Sequence, residues 1–205
     1  MEASITIDQV KIDHLRIAMT LRAPSGLCFT FRPLTTVDNA SLGRYFLGLS
    51  EETKALYGPH PFDQATADKL CAEIDYADTI RFIATLPVAG QEQVIAYFIL
   101  MLGLTPGEIE RYPLAGIAVD PNLDCLIAPS VADAYQSQGL GILCMQHMID
   151  VARRLGRRYF LLMGGVYIHN VRAVHFYQKA GFKLMAPFTP TWPGARPSQD
   201  MYIVL

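Results

Sequence analysis

The sequence predicts an α/β chain of the α+β type, a mixed sheet flanked by helices. Three observations carry that prediction. The nine-residue apolar run Val94 to Leu102 has the length of a strand buried on both faces. Ile142, Met145, Met148, Ile149, Ala152 and Leu155 recur at three- and four-residue steps, the mark of one helix face, and Gly156 ends that helix. Strand and helix signals alternate along the rest of the chain, but not in strict βαβ order.

Residues 1–26 read as an N-terminal extension, with Ile5, Ile7, Val10 and Ile12 spaced along it and Pro24-Ser25-Gly26 closing it. Residues 27–205 read as one domain. Leu27, Phe29 and Phe31 alternate as a first strand that Pro33 stops. Thr35-Thr36-Val37-Asp38 has the form of a capping box and opens a helix to about Leu47. Ser50-Glu51-Glu52 starts a short helix closed by Gly58-Pro59, and another runs from Thr66 to about Tyr76. Arg81 to Leu86 is a strand, and Pro87 to Gln93 is the turn into the buried run. Thr105-Pro106-Gly107 breaks the pattern, and Leu114 to Val119 is expected as a short extra strand.

Asp124 to Val131 is a strand with Pro129 inside it. Proline removes a ladder donor, so it marks an edge, a bulge or a place where pairing stops. Gln136 to Gly141 is a glycine turn into the long helix. Tyr159 to Met163 is a strand, followed by Gly164-Gly165, a helix from Val171 to Ala180 and a C-terminal strand from Met201.

The 205 residues carry 17 Lys and Arg against 19 Asp and Glu, a formal charge of −2, with 51% hydrophobic residues. That apolar content excludes a disordered chain. Balanced charge argues against a nucleic-acid platform, which carries a basic excess. No apolar run approaches the roughly 18 residues of a membrane span. The first twenty residues mix charges with isolated aliphatics, unlike a signal peptide, so a soluble cytoplasmic protein is expected. Cys28, Cys71, Cys125 and Cys144 lie far apart without a C-x-x-C, so neither a zinc site nor a disulfide framework is expected.

Gly139 and Gly141 precede the clearest helix of the chain. The first N–H groups of a helix lack internal partners and its dipole adds positive potential, which makes this turn an anion site. Cys144 stands where a dinucleotide fingerprint needs its third glycine, and no Gly-Lys-Ser/Thr completes a P-loop.

Gln136-Ser137-Gln138-Gly139-Leu140-Gly141 fits the pattern Gln or Arg, x, x, Gly, x, Gly or Ala. Asn170, Ala173, Phe176, Tyr177, Lys179, Gly181 and Phe182 fit N-x-x-A-x-x-F-Y-x-K-x-G-F. In this order, with one helix and one strand between them, the two blocks resemble the GNAT superfamily of acyl-CoA-dependent N-acyltransferases. The resemblance covers about Cys28 to Leu205. It implies a mostly antiparallel sheet whose central strands splay apart, with Pro129 and Gly164-Gly165 holding the gap for the pantetheine arm of the cofactor. It also implies acetyl-CoA as acyl donor and a small-molecule or peptide amine as acceptor, with no nucleic-acid or membrane partner.

The resemblance further implies roles. Gln136 opens the turn whose amides at Gln138, Gly139, Leu140, Gly141 and Ile142 hold pyrophosphate. Ser130 and Val131 hydrogen-bond pantetheine, Asn170 contacts the cofactor, and Tyr177 protonates the departing thiolate. Two positions depart from the family pattern. Many members place a Glu base where this chain has Cys125 and Leu126. Asp124, on the strand face of Leu126, and His60 are the remaining candidates. Gln138 replaces a frequent Arg or Lys, leaving Arg172 or Lys179 to meet phosphate charge. The acceptor is implied to lie between Leu49 to Thr66 and Pro187 to Ser198, stretches that contain Tyr57, His60, Phe62, Asp63, Thr189, Trp192 and Arg196. The alternative is a non-catalytic acyl-CoA binder, which the missing Glu supports and Tyr177 and Asn170 oppose.

Overall fold

A computed structural model describes residues 3–190 and 196–205. Among them, nine strands form one sheet: β1 (Met19–Arg22), β2 (Cys28–Pro33), β3 (Thr79–Val88), β4 (Gln91–Met101), β5 (Cys125–Val131), β6 (Tyr159–Leu162), β7 (Val166–Tyr167), β8 (Lys183–Phe188) and β9 (Ser198–Val204). Pairing runs β1-β2-β3-β4-β5-β6-β9-β7, with β8 also on β9. All pairs are antiparallel except β5 with β6. The β3–β4 hairpin turns through Ala89 and Gly90 at φ 50° and 80°, the left-handed pair that a two-residue hairpin of this twist requires.

Seven α-helices cover the sheet: α1 (Ile7–Ile12), α2 (Asn39–Gly48), α3 (Glu51–Ala55), α4 (Gln64–Ala72), α5 (Pro106–Leu114), α6 (Leu140–Arg154) and α7 (Val171–Lys179). Side chains alternate between the two sheet faces. Phe31, Phe82, Phe98, Ile127 and Phe160 share one core with Met145, Met148 and Ala152 of α6 and Tyr177 of α7. On the other face, Ile83, Tyr97, Ile99 and Ala128 bury against Leu42 and Phe46 of α2 and Ala67 of α4. Leu126 and Leu161 bury there against Tyr112 of α5. No described helix is long and apolar enough to cross a membrane.

The first 26 residues pack on this same body. Ile5, Val10 and Ile17 are buried in the α6 core, β1 pairs with β2, and the His147 ring bonds the Ile17 carbonyl at 2.9 Å. Two local expectations change. Asp38 accepts the Thr35 N–H and hydroxyl, both at 2.7 Å, which is half of the expected capping box, but it caps no N–H of α2; Arg32 also grips its carboxylate with two 2.8 Å bonds, fastening the start of α2 to β2. Thr105-Pro106 opens α5 rather than breaking the chain, because proline fits the first helical turn, where N–H groups have no partner. Leu114 therefore ends a helix, and the extra strand expected at Leu114 to Val119 does not form.

Candidate active site

Strands β5 and β6 pair over three residues only, Cys125 with Phe160, Leu126 with Leu161 and Ile127 with Leu162. Beyond Met163, whose N–H reaches the Ile127 carbonyl at 3.1 Å, they part. Gly164 and Gly165 hold φ of 70° and 74° and turn the chain away, so β6 and β7 run as two halves of one strand along β9. A Cβ on Gly165 would stand 3.0 Å from the Gln199 carbonyl. The Gly164 N–H donates to Glu108 of α5 at 2.9 Å, and Arg111 holds the same oxygen at 3.1 Å.

On the other bank, the Ala132 N–H bonds the Ile95 carbonyl at 2.9 Å, which sets the phase of the β4–β5 ladder. In an antiparallel ladder bonded and non-bonded pairs alternate, so Ser130 turns its main chain to β4 while Pro129 and Val131 turn theirs to the gap. Proline brings no donor there. Val131 brings its N–H.

The gap leads into the glycine turn. Gly139, at φ 83°, caps α6, and a Cβ on it would stand 3.1 Å from Pro24. A Cβ on Gly141 would meet Phe176 at 3.3 Å and Val131 at 3.5 Å, so glycine keeps this wall low. The N–H groups of Leu140, Gly141 and Ile142 open α6 without intrahelical acceptors and at the positive end of its dipole. The Gln136 amide donates to the Val131 carbonyl at 2.9 Å, and that of Gln138 to the Ala134 carbonyl at 2.7 Å. Both side chains are thus occupied within the loop. The Leu140 side chain is in the core.

A cavity of about 360 Å³ joins these parts. Its walls are the turn, Pro129 to Val131, the Asn170–Phe176–Tyr177 face of α7, and Thr53, Leu56 and Tyr57 around α3; Arg172, His175 and Lys179 stand along the α7 side. Tyr177 is 8% exposed, and its hydroxyl makes no hydrogen bond among the described residues. Burial pushes that phenol well above the ordinary tyrosine range, so it carries its proton at neutral pH. Asn170 accepts the Ala173 N–H at 3.1 Å as the cap of α7.

Helix α3 is fastened over the cavity by an acid the sequence reading missed. Asp133 accepts the Ser50 N–H at 2.9 Å, the Ser50 hydroxyl at 2.8 Å and the Thr53 hydroxyl at 2.6 Å. Burial opposes its ionisation, but these hydrogen bonds outweigh it and hold the carboxyl below the usual range.

Beyond α3 the wall is aromatic. The Tyr57 ring lies 4.5 Å from Phe62 and 5.3 Å from His60, and its hydroxyl is buried with no partner among the described residues. Burial raises that phenol too. His60 contacts the Pro61 carbonyl through Nδ1 at 2.8 Å and the Tyr97 hydroxyl through Nε2 at 3.2 Å. The carbonyl requires a proton on Nδ1, so Nε2 is the acceptor. Burial, then Arg81, hold this imidazole below its usual pKa. Asp63 caps α4 through the Thr66 N–H at 2.7 Å. Trp192 lies outside the described residues.

Two expected roles are corrected. Asp124 sits at the far end of β5, 0% exposed, held by Arg158 at 2.8 and 3.1 Å and by the Asp120 N–H at 2.6 Å. At about 3.3 Å per residue it is roughly 20 Å from Ser130, and it does not line the cavity. It is one half of a structural ion pair. Ser130 lines the cavity, but its main chain belongs to the β4 ladder and its hydroxyl bonds Tyr45 at 2.8 Å. The main-chain contact to the gap therefore falls to Val131.

A helix-capped glycine turn feeding a split sheet, with a phenol beside the split, defines the acyltransferase class that the two sequence blocks implied. A profile of the acetyltransferase (GNAT) family matches residues 54–182, and the chain belongs to that family. Acetyltransferase PA5475 of Pseudomonas aeruginosa is 28% identical over 129 residues, 62% of this chain and 61% of its own. The matched region thus spans about three fifths of that relative. The GNAT domain of S. lividans PAT superposes with a TM-score of 0.70 at 21% identity, over 93% of this chain and 98% of that one. The aminoglycoside acetyltransferase AAC(6')-Ib, solved with paromomycin and acetyl-CoA, gives 0.63 at 20% identity, over 85% and 92%. These structural likenesses are of fold.

Proposed function

We propose that the protein transfers an acetyl group from acetyl-CoA to the amine of a small molecule or peptide by direct attack. One observation carries this reading: a single cavity collects the opening amides of α6, the gap-facing Val131 and the protonated Tyr177 phenol. The residues fit the cofactor. Gly141 leaves room that a Cβ would fill, and Arg172 and Lys179 offer phosphate charge that Gln138 does not.

Bound acetyl-CoA supplies an activated thioester carbonyl. The amides of residues 139–142 bind pyrophosphate, and Asn170 contacts the arm. The Val131 N–H meets negative charge on the acyl oxygen as the centre becomes tetrahedral. Tyr177 delivers its proton to the departing sulfur and regains one from solvent. The N–C bond would form first, the C–S bond would break as that centre collapses, and the nitrogen would release its surplus proton to solvent. No carboxylate lines the cavity among the described residues, so the amine gives up its extra proton to solvent and attacks as the free base. Apolar walls favour that neutral form.

The test is calorimetric titration with acetyl-CoA, with desulfo-CoA and NADH as controls. Acetyl-CoA is expected to bind in the micromolar range, NADH not at all. Failure to bind at millimolar acetyl-CoA overturns the reading. Binding without turnover of any amine returns the protein to the non-catalytic class.

A further inference from the structure

The acceptor's chemistry is legible in a second cavity of about 470 Å³. Leu56, Asn170 and Arg172 line both cavities, while none of residues 129–142 lines the second. The second therefore joins the first away from the phosphate turn, at Leu56, while Tyr57 lines the first cavity alone. Two features flank that junction.

The first is the Tyr57 hydroxyl. Phe62 and His60 clamp its ring, and the hydroxyl is buried without a partner among the described residues. A buried hydroxyl left unpaired is costly, so a polar group of a ligand is its natural partner. Burial keeps this phenol protonated, which suits it to orient an amine rather than to deprotonate one.

The second is charge. The chain as a whole is acidic, with a formal charge of −2. Yet the two cavities present Arg172, Lys179 and Arg196 against one acid, Glu52. Lys179 lines only the cofactor cavity, and Arg196 only the second. Arg196 lies 5.4 Å over the Tyr167 ring, which stacks in turn on His169 at 5.6 Å. That stack presents a guanidinium whose charge no acid neutralises among the described residues. A positive lining repels polycations and attracts anions.

We propose that the acceptor is a small primary amine that also carries a carboxylate, its amine oriented by the Tyr57 hydroxyl and its carboxylate met by Arg196. The proposal rests on the acetyltransferase reading and names the substrate class for it. Free amino acids and ω-amino acids belong to that class; polyamines and aminoglycosides do not.

A matched panel tests it on the full chain, with CoA release followed as free thiol. Amino acids and γ-aminobutyrate are set against their amides, the corresponding decarboxylated amines, putrescine, spermidine and kanamycin. The carboxylate half is expected to be acetylated with a kcat/KM about tenfold or more above its counterparts, the scale of one charge-assisted contact. Arg196→Ala should raise KM for carboxylate amines about tenfold with kcat held, and Arg196→Lys should recover part of the loss. Tyr57→Phe should raise KM for carboxylate amines while leaving acetyl-CoA affinity as it was. No turnover in the carboxylate half, a preference for its counterparts, or an Arg196→Ala variant that keeps the preference overturns the proposal. Calorimetry separates the two ways of failing. Acetyl-CoA bound without turnover of any carboxylate amine sinks the proposal alone, and absent acetyl-CoA binding sinks the acetyltransferase reading with it.

Discussion

The two ends of the channel are built from different materials. At the proposed phosphate end the main-chain groups come from one short stretch, Gly139 to Ile142, set by a single left-handed glycine. At the proposed acceptor end the groups are side chains, Tyr57 of the first cavity and Arg196 of the second, from distant parts of the chain. Main-chain recognition tolerates any side chain except where a Cβ would intrude, so it leaves glycines as its mark. Side-chain recognition leaves no local spacing, and its chemistry is free to vary without touching the cofactor.

The contrast can be broken most sharply at Tyr177, whose proposed proton transfer falls between the two ends. Tyr177→Phe should cut turnover by about 10² to 10⁴, the range of a lost general acid, while calorimetric acetyl-CoA affinity is retained. A loss under about threefold would move the proton donor elsewhere. Next comes the main-chain end. Gly141→Val puts carbon against Phe176 and Val131, and acetyl-CoA binding should weaken by about ten- to a hundredfold with the fold intact by circular dichroism. Unchanged affinity would mean that the floor of the cavity is not the cofactor's seat.

Asp124→Asn should lower unfolding free energy by about 1 to 3 kcal/mol in urea, since it weakens a buried pair whose arginine partly reaches water, and leave kcat alone. A tenfold fall in kcat at unchanged stability would restore Asp124 as a base. The smallest effect belongs to His60. Burial and Arg81 depress its folded pKa, so the folded imidazole binds fewer protons than the unfolded one. Its contribution is complete above about pH 6.5 and is lost as pH falls below that value. Hydrogen-exchange protection over residues 51–72 should therefore drop between about pH 7.5 and about pH 5.5, while that of α6 holds. Equal changes in both regions would erase the distinction between the two ends.

How much of this could be read from the sequence follows the same division. Helices α6 and α7, the buried strand at Val94 and the turn at Gly139 are written in short-range periods and glycines. Pro129 and Gly164-Gly165 were legible as breakers because each disables one ladder position, and they do flank the place where β5 and β6 part. Helix α5 was missed because Pro106 reads as a stop signal, whereas the first turn of a helix accepts it. Asp124 was misassigned because strand period gives a face but not a partner, and Arg158 lies 34 residues on. Asp133 was invisible for the same reason, its partner Ser50 being 83 residues away. Tyr97 hides within an apolar run, where its hydroxyl leaves no pattern.

The parted strands also create a hazard that the protein must manage. Each bank of the split is an interior strand edge, and an unpaired edge is a template on which another chain can add and begin to aggregate. Pro129 removes a donor from one bank, and the two glycines bend the other out of line. A foreign strand entering the split would find neither a complete ladder nor a straight partner. A slender ligand with an amide or two of its own needs only the few groups that remain. The breakers that open the sheet for chemistry are thus also its guard against self-association, and replacing Pro129 would disarm that guard before it closed the channel.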